Sequence, residues 1–277
     1  MLLLADLVAA RLAAGVIEGT SGQAIEPVAV LDAMAGCGIR ALRYGLEAMP
    51  AGSVLWVNDA DPDRLPLLQA NLAPLAAAGP VPQIATTQIT TQTAQQLLAA
   101  ALVQRRRFDL VDLDAFGCPG DLVPLALEAV RVGGLLYVAS TDGRSPTGHD
   151  RLGALRQLGA AARAHPASWE LALRLQLGVI ARAAWAQGRG IRPVLSFSEG
   201  RTFRTAVRLQ ARPAPAALQQ LGLLAHCHGC GDQQVQPLLQ LRRWSRCRCP
   251  GDEPPLAISG PLWIGALQDP VVLARLL

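Results

Sequence analysis

Leu31-Asp32-Ala33-Met34-Ala35-Gly36-Cys37-Gly38 closes a short apolar run, Val28–Asp32, and opens onto a segment of helical character from about Ile39 to Ala48. A strand, a glycine turn and a helix in that order form the first half of a βαβ unit. The pattern recurs along the chain. Ser53–Asn58 reads as a second strand followed by a helix over Pro62–Ala77. Gln83–Thr87 and Thr93–Gln104 form a weaker third pair, Phe108–Leu113 and Leu122–Val130 a fourth, and Gly134–Ser140 is a fifth strand. Upstream, Met1–Ala14 reads as an apolar helix. Downstream, helices are expected over about Gly148–Ala164 and Ser168–Gln187. A strand pair follows, Pro193–Ser198 and Phe203–Gln210, joined by a turn around Glu199-Gly200-Arg201. Regular βα alternation predicts a parallel, doubly wound sheet, and the last pair adds a hairpin at its edge.

At 277 residues the chain can bury a full α/β core without disulfides. Its hydrophobic fraction of 51% and mean hydropathy of +0.27 come from Ala and Leu. The long uncharged stretch Leu65–Gln104 is broken by Pro, Gln and Thr, and no run of about 18 to 20 apolar residues is present to span a bilayer. Met1-Leu2-Leu3-Leu4-Ala5-Asp6 lacks the basic segment and cleavage site of a signal peptide, so a cytoplasmic protein is expected. After Ala211-Arg212-Pro213-Ala214-Pro215 the composition shifts to turns, Cys and Arg. A boundary is expected there, between a domain of residues 1–212 and a small Cys-rich domain of residues 213–277. The formal charge is +4 and all 25 basic residues are Arg. Arg forks pair bidentately with phosphate, and Arg105-Arg106-Arg107 and the Arg242, Arg243, Arg246, Arg248 group around Trp244 are the clusters where that would count. A GC-rich genome accounts for the bare usage equally well.

The glycines at 36 and 38 let the backbone approach a ligand closely, in front of a helix N-terminus. Asp59 ends the second strand, 21 residues after Gly38, where a carboxylate can accept ribose hydroxyls. Gly36-x-Gly38-x-x-Ala41 also fits a dinucleotide fingerprint, so the glycines alone do not decide the ligand. Asp32 does favour one reading. Four residues before Gly36, it can meet the ammonium of a methionine moiety, whereas a pyrophosphate there would be repelled. S-adenosylmethionine is therefore the expected cofactor, and the fold expected is the α/β, seven-stranded class I S-adenosylmethionine-dependent methyltransferase sheet.

Phe108-Asp109-Leu110-Val111-Asp112-Leu113-Asp114-Ala115-Phe116-Gly117 sets an acidic-x-aromatic element at the end of the fourth strand, on the edge where parallel sheets bind substrates. An exocyclic amino group is a poor nucleophile because its lone pair is delocalised into the ring. A carboxylate can accept its N–H, orient the lone pair and take the proton as transfer proceeds. Asp114 is assigned that role, with Phe116 stacking on the base. Asp109 is expected on the surface and Asp112 as a hydrogen-bonded structural residue. Ser140-Thr141-Asp142 either lines the crevice or caps the segment that follows. Cys37 and Cys118, beside the two loops, are expected to be packed small residues rather than nucleophiles.

Taken together, these residues resemble the tRNA guanine N2-dimethyltransferases, which modify guanine 26 of tRNA and sometimes its neighbour. The likeness runs from about Val30 to Asp269. It rests on Gly38-Ile39-Arg40-Ala41-Leu42-Arg43-Tyr44, Asn58-Asp59, Asp112-Leu113-Asp114-Ala115-Phe116-Gly117, Gly133-Gly134-Leu135-Leu136 and Thr141-Asp142, Pro193-Val194-Leu195-Ser196-Phe197-Ser198 before Arg204, and Gly260-Pro261-Leu262-Trp263-Ile264-Gly265. The resemblance implies that Arg40 and Asp59 contact the cofactor, that Asp114 and Phe116 handle the guanine, and that Thr93-Ala94 falls near the adenine. Departures are local. The family's N-terminal Asn-Arg-Asp element has no counterpart, and Met1–Ala14 resembles the helix that follows it. Ala115 replaces Pro, Thr93 replaces Asp, and Gly200-Arg201-Thr202 replaces Asp-His-Tyr in the hairpin turn.

Cys227-His228-Gly229-Cys230 and Cys247-Arg248-Cys249 supply four thiols, the pairs 16 residues apart. Two close pairs at that distance read as a structural zinc site with four cysteine ligands, and the resembled family has a Cys cluster here; His226 and His228 are spare candidates. The expected function is methyl transfer to guanine N2 in tRNA, with residues 213–277 docking the RNA. The rivals are a methyltransferase for another amino group, in rRNA, DNA or protein, and a weakened RNA-binding paralogue.

Overall fold

The structure, a computed structural model, describes residues 2–17, 27–76, 84, 86–250 and 256–276, with the backbone alone over 10–17. Met1, Ala77 and positions 83 and 85 of the expected third strand lie outside the described residues.

In chain order the elements are α1 (Leu2–Ile17), β1 (Ala29–Asp32), α2 (Ile39–Glu47), β2 (Val54–Asn58), α3 (Leu65–Leu72), β3 (Thr86–Thr90), α4 (Ala94–Val103), β4 (Phe108–Ala115), α5 (Val123–Ala129) and β5 (Val130–Ser140). Then come α6 (Arg151–Leu158), α7 (Ser168–Ala186), β6 (Gly190–Glu199), β7 (Thr202–Gln210), α8 (Pro215–Leu218), β8 (Leu221–His226), β9 (Gln233–Pro237), β10 (Ala257–Trp263) and α9 (Pro270–Leu276). A seven-stranded sheet has the order β3-β2-β1-β4-β5-β7-β6, and a three-stranded one the order β10-β8-β9. Strand β1 pairs in parallel with both β2 and β4, and β2 with β3, while β6 and β7 form an antiparallel hairpin. This is the expected seven-stranded methyltransferase sheet.

The chain forms two compact units. One comprises Met1–Asp114, Leu125–Tyr137 and Pro270–Leu277; the other comprises Ala115–Pro124 and Val138–Asp269. In the first, the central strands are apolar on both faces, as parallel strands covered by helices must be. Val30, Leu31, Leu55, Val57, Leu110, Val111 and Leu113 are all buried. In the second, α7 is the organising helix. Its Gln176 is buried and donates to the Val138 carbonyl at 3.0 Å and the Thr205 hydroxyl at 2.9 Å, tying it to β5 and β7. Its Leu171 and Leu175 pack with Leu224 of β8 and Leu262 of β10. Segment 213–269 therefore shares a core with α6 and α7. No helix among the described residues is long and apolar enough to cross a membrane.

Four expectations need correcting. The helix expected over Gly148–Ala164 is only α6. Asp150 caps it by accepting the Gly153 N–H, and Gly159 ends it in a left-handed conformation at φ 57° that continues no helix. Beyond it, Ala161 bridges to Gly260 in the antiparallel sense. The third strand lies further on, at Thr86–Thr90; Ile89 is its one apolar residue, too little to mark its position in the pattern. The Arg105–Arg107 run is partly consumed internally: Arg106 stacks over the Trp56 ring at 3.8 Å and Arg107 pairs with Glu128. Asp109, finally, is not a surface residue. It is fully buried within β4, accepts the Ala29 N–H at 2.8 Å and pairs with Arg131 at 3.0 Å. It anchors the entry of β1 through a backbone donor that no apolar side chain could satisfy. Asp109→Ala leaves that N–H unpaired, and a loss of about 1 to 3 kcal/mol is expected in urea unfolding monitored by circular dichroism. An unchanged midpoint would show that the anchor carries no weight.

Candidate active site

Sheet register assembles the site. Asp32 of β1 and Asp112 of β4 are Cα partners, and Asp114, two residues on, returns to the face of Asp112. Three carboxylates thus converge at the carboxyl ends of neighbouring strands, and helix α2 answers them. Arg40 donates from Nε to Asp112 Oδ2 at 2.8 Å, from Nη1 to Asp114 Oδ2, and from Nη2 to Asp32 Oδ1 and the Met34 carbonyl, each at 3.4 Å. Tyr44, one helical turn further along α2, donates its hydroxyl to the same Asp112 oxygen at 2.7 Å.

Asp32 and Asp112 are fully buried. Burial, and then the Asp112 charge, push the Asp32 carboxyl up to about 8 against the pull of Arg40. Asp112 is also raised, by burial first, with Arg40 and the Tyr44 hydrogen bond opposing. Burial disfavours the Arg40 charge, yet Asp112, Asp32 and Asp114 together hold the guanidinium above its ordinary range. Burial and the Asp112 charge lift the Tyr44 hydroxyl well above its own. A carboxyl raised on folding keeps a proton that the unfolded chain has lost. The stability Asp32 contributes therefore falls as pH climbs from about 4 to about 8. Asp32 Oδ2 and Asp112 Oδ1 have no hydrogen-bond partner among the described residues. Asp114 is 26% exposed, and its contact with Arg40 runs through one oxygen only.

In the loop between β1 and α2, Gly36 and Gly38 sit at φ 58° and 79°, where an L side chain is strained. A Cβ at Gly38 would also fall 2.9 Å from Leu68, whereas one at Gly36 would meet nothing within 4 Å. The backbone at Gly36 thus borders open space. Asp59 holds the loop in place, its Oδ2 accepting the Gly36 N–H at 2.8 Å and its Oδ1 the Asp61 N–H at 3.0 Å. Buried Asn58 donates to the Ala33 and Gln92 carbonyls and accepts from Thr90 and the Gln92 N–H, lacing the ends of β1, β2 and β3 together. Thr93 caps α4 in a reciprocal capping box with Gln96, and Ala94 is buried behind it.

At the end of β4 the Phe116 ring is 98% exposed. The loop it starts is tied to the end of β5: Gly117 N donates to the Thr141 hydroxyl at 2.8 Å, and Ser140 Oγ to the Gly117 carbonyl at 2.8 Å. Asp142 accepts the Arg144 and Ser145 N–H groups, so of the two readings of Ser140-Thr141-Asp142 loop capping is the one observed. Cys118 packs against the α7 core and burial raises its thiol, while Cys37 is exposed rather than packed.

In the second unit the Sγ atoms of Cys227, Cys230, Cys247 and Cys249 all lie within 4.8 Å of one another. Four thiolates on one tetrahedral zinc stand roughly 3.8 Å apart, given a Zn–S bond near 2.3 Å. The set can therefore close on a single zinc with small adjustments. Backbone N–H groups of Cys230 and Gly229 draw the Cys227 thiol down to about 7, while the hydrogen bond to Cys227 pushes the Cys249 thiol up, so without a metal the thiolate is favoured at Cys227 and not at Cys249. The spare histidines stand outside this set: His226 stacks on His165 at 5.1 Å and meets His228 edge-on at 4.8 Å.

A model of the N2,N2-dimethylguanosine tRNA methyltransferase family matches residues 6–277. The chain belongs to this family. It is 31% identical over 249 residues to the tRNA (guanine(26)-N(2))-dimethyltransferase of Metallosphaera sedula, covering 88% of this chain and 60% of that protein. It is 32% identical over 262 residues to that of Thermococcus kodakarensis, covering 91% and 65%. The structure superimposes with a TM-score of 0.77 on Trm1 from Pyrococcus horikoshii, solved with S-adenosyl-L-methionine, at 29% identity over 90% of this chain and 65% of the other. The chain spans under two thirds of the length of these family members.

Asp32, Arg40 and Asp114 of the expected site meet directly, and Gly36 and Asp59 meet through a backbone hydrogen bond. The Thr93 hydroxyl is engaged as a helix cap. Tyr44 and Asn58 had no assigned role, although the spacing of Arg40 and Tyr44 by one helical turn signals a shared face. The cysteine geometry is directly testable. Protein prepared without chelator is expected to carry one zinc per chain by atomic emission, and Cys247→Ser with Cys249→Ser to lose the metal and lower the thermal midpoint. Metal-free protein with an unchanged midpoint would exclude the site.

Proposed function

We propose that the chain transfers one or two methyl groups from S-adenosylmethionine to the N2 amino group of guanine 26 in tRNA, the site for which the dimethyltransferases of its family are named. The observation that carries this is the convergence of Asp32, Asp112 and Asp114 on Arg40 at the strand ends of a family member. A cluster of three carboxyls with one guanidinium suits a cationic ligand. Bound there, S-adenosylmethionine supplies an electrophilic methyl group on a positively charged sulfur.

The residues fit that group. Asp32, with an orphaned buried oxygen, would receive an ammonium, and the open backbone at Gly36, with Gly38 and Arg40, would border the methionine end. Asp59 keeps acceptor positions for ribose hydroxyls beside its two backbone donors. Thr93 and Ala94 would flank the adenine. Asp114 is the catalytic residue: its second carboxylate oxygen accepts an N–H of the guanine amino group, aligns the nitrogen lone pair and takes the proton. Arg40 fixes the orientation of that carboxylate. Phe116, whose ring covers nothing else, stacks on the guanine. The exposed Arg242, Arg243 and Arg248 beside the cysteine cluster would hold the tRNA backbone, and the substrate places the protein in the cytoplasm.

The test is transfer of labelled methyl to an unmodified tRNA transcript, with nucleoside mass spectrometry of the product. Wild type is expected to yield N2-methylated guanosine. Asp114→Ala should lower turnover by about 10²- to 10⁴-fold while RNA binding persists. Wild-type protein that binds tRNA without turnover would support the RNA-binding paralogue instead, and methylation of rRNA, DNA or protein would redirect the substrate.

A further inference from the structure

Loop 143–149 and the tip of the β6–β7 hairpin enclose, with the first turn of α7, a cavity of about 420 Å³ that no step above uses. Its volume is that of a small-ligand pocket. Two guanidinium groups, Arg144 and Arg201, line it together with the His149 imidazole and the Trp169 indole, and no carboxylate does. Four arginines elsewhere in this unit are committed: Arg174 to Glu170, Arg182 to the Leu158 carbonyl, Arg192 to Asp269 and Arg204 to Glu199. Arg144 and Arg201 have no ion-pair or hydrogen-bond partner for their guanidinium groups among the described residues.

The cavity is held in shape. A Cβ at Gly143 would lie 3.2 Å from the Arg201 stem, so that stem rests directly on the loop. The Thr147 hydroxyl donates to the Gly143 carbonyl at 2.7 Å. Its oxygen is then left to accept His149 Nδ1–H at 2.9 Å. Trp169, 53% exposed, stands in the first turn of α7, where the helix end adds positive potential. The loop continues from Thr141 and Asp142, whose backbone and side chain bond the Phe116-Gly117 turn. Uncommitted positive charge, an open indole face and continuity with the stacking phenylalanine therefore occur together.

We propose that this cavity is a nucleotide subsite for the RNA strand next to the target guanine, its phosphodiester held by Arg144 and Arg201 and its base stacked on Trp169. This rests on the tRNA reading given above.

Affinity for an unmodified tRNA transcript, measured against salt for the full chain, tests it. Arg144→Gln with Arg201→Gln should weaken binding about tenfold and lower the salt slope by about one, as loss of one phosphate contact does. Trp169→Ala should weaken binding about tenfold with the slope unchanged, and Trp169→Phe should restore it. Arg151→Gln with Arg156→Gln, exposed on α6 outside the cavity, is the control. An equal loss from that pair would reduce the effect to net charge and overturn the proposal. Guanosine monophosphate binding that is lost in the cavity variants while tRNA affinity is kept would overturn it too, in favour of a free nucleotide. Wild-type protein that shows these effects but transfers no methyl leaves the subsite standing and sinks the catalytic reading.

Discussion

Among the described residues Arg40 is the one cation set among Asp32, Asp112 and Asp114, and the first unit is arranged around making that contact hold. Three carboxyls at adjacent strand ends would repel one another without it, and two of them are fully buried. Removing one partner of such a cluster costs more than the pair gains, because the remaining charge stays buried. The constraint reaches outward. Helix α2 must begin close to the strand ends for Arg40 to reach, which requires the tight turn at Gly36 and Gly38. Asp59 in turn pins that loop through the Gly36 N–H. Stability and chemistry therefore share the same residues, and the acidity that burdens the ligand-free fold is what a cationic ligand would relieve.

The second unit solves a different problem. Strands β8 and β10 are short and largely apolar and β9 is polar, and so small a sheet gains stability by setting its apolar face on a helix. They pack on α7 through Leu224 and Leu262, and the cysteine cluster offers a metal where apolar burial ends. That leaves much of the exposed surface free for Arg and aromatic side chains.

Much of the first unit was legible in the sequence because its strands are apolar runs and its turns are glycines. Strands β1, β2 and β4 lie within two residues of where the pattern placed them. Asp32, Asp112 and Asp114 could be located from strand ends alone. What could not be read was pairing: that Asp32 and Asp112 are register partners, that Tyr44 completes the Arg40 contact, and that Asn58 laces three strand ends. Each depends on residues distant in sequence. Asp109 was misplaced for the same reason, since a carboxylate looks solvent-seeking until its buried partners, Ala29 and Arg131, are known. Strand β3, with Ile89 as its one apolar residue, carried too weak a burial signal to fix its position, and Arg106 was hidden in a charge run although it stacks on Trp56.

On the proposed reading the acidic cluster is an electrostatic seat for the cofactor's cationic end, and Asp32 changes its proton when the seat is filled. Calorimetry of S-adenosylmethionine binding at pH 7 in buffers of different ionisation enthalpy measures this directly. With the Asp32 carboxyl near 8 in the free protein, an arriving ammonium lowers it, and release of close to one proton is expected. That release should fade as pH rises past about 8 and be absent in Asp32→Asn. Binding with no proton exchanged at pH 7, or with proton uptake, would contradict it.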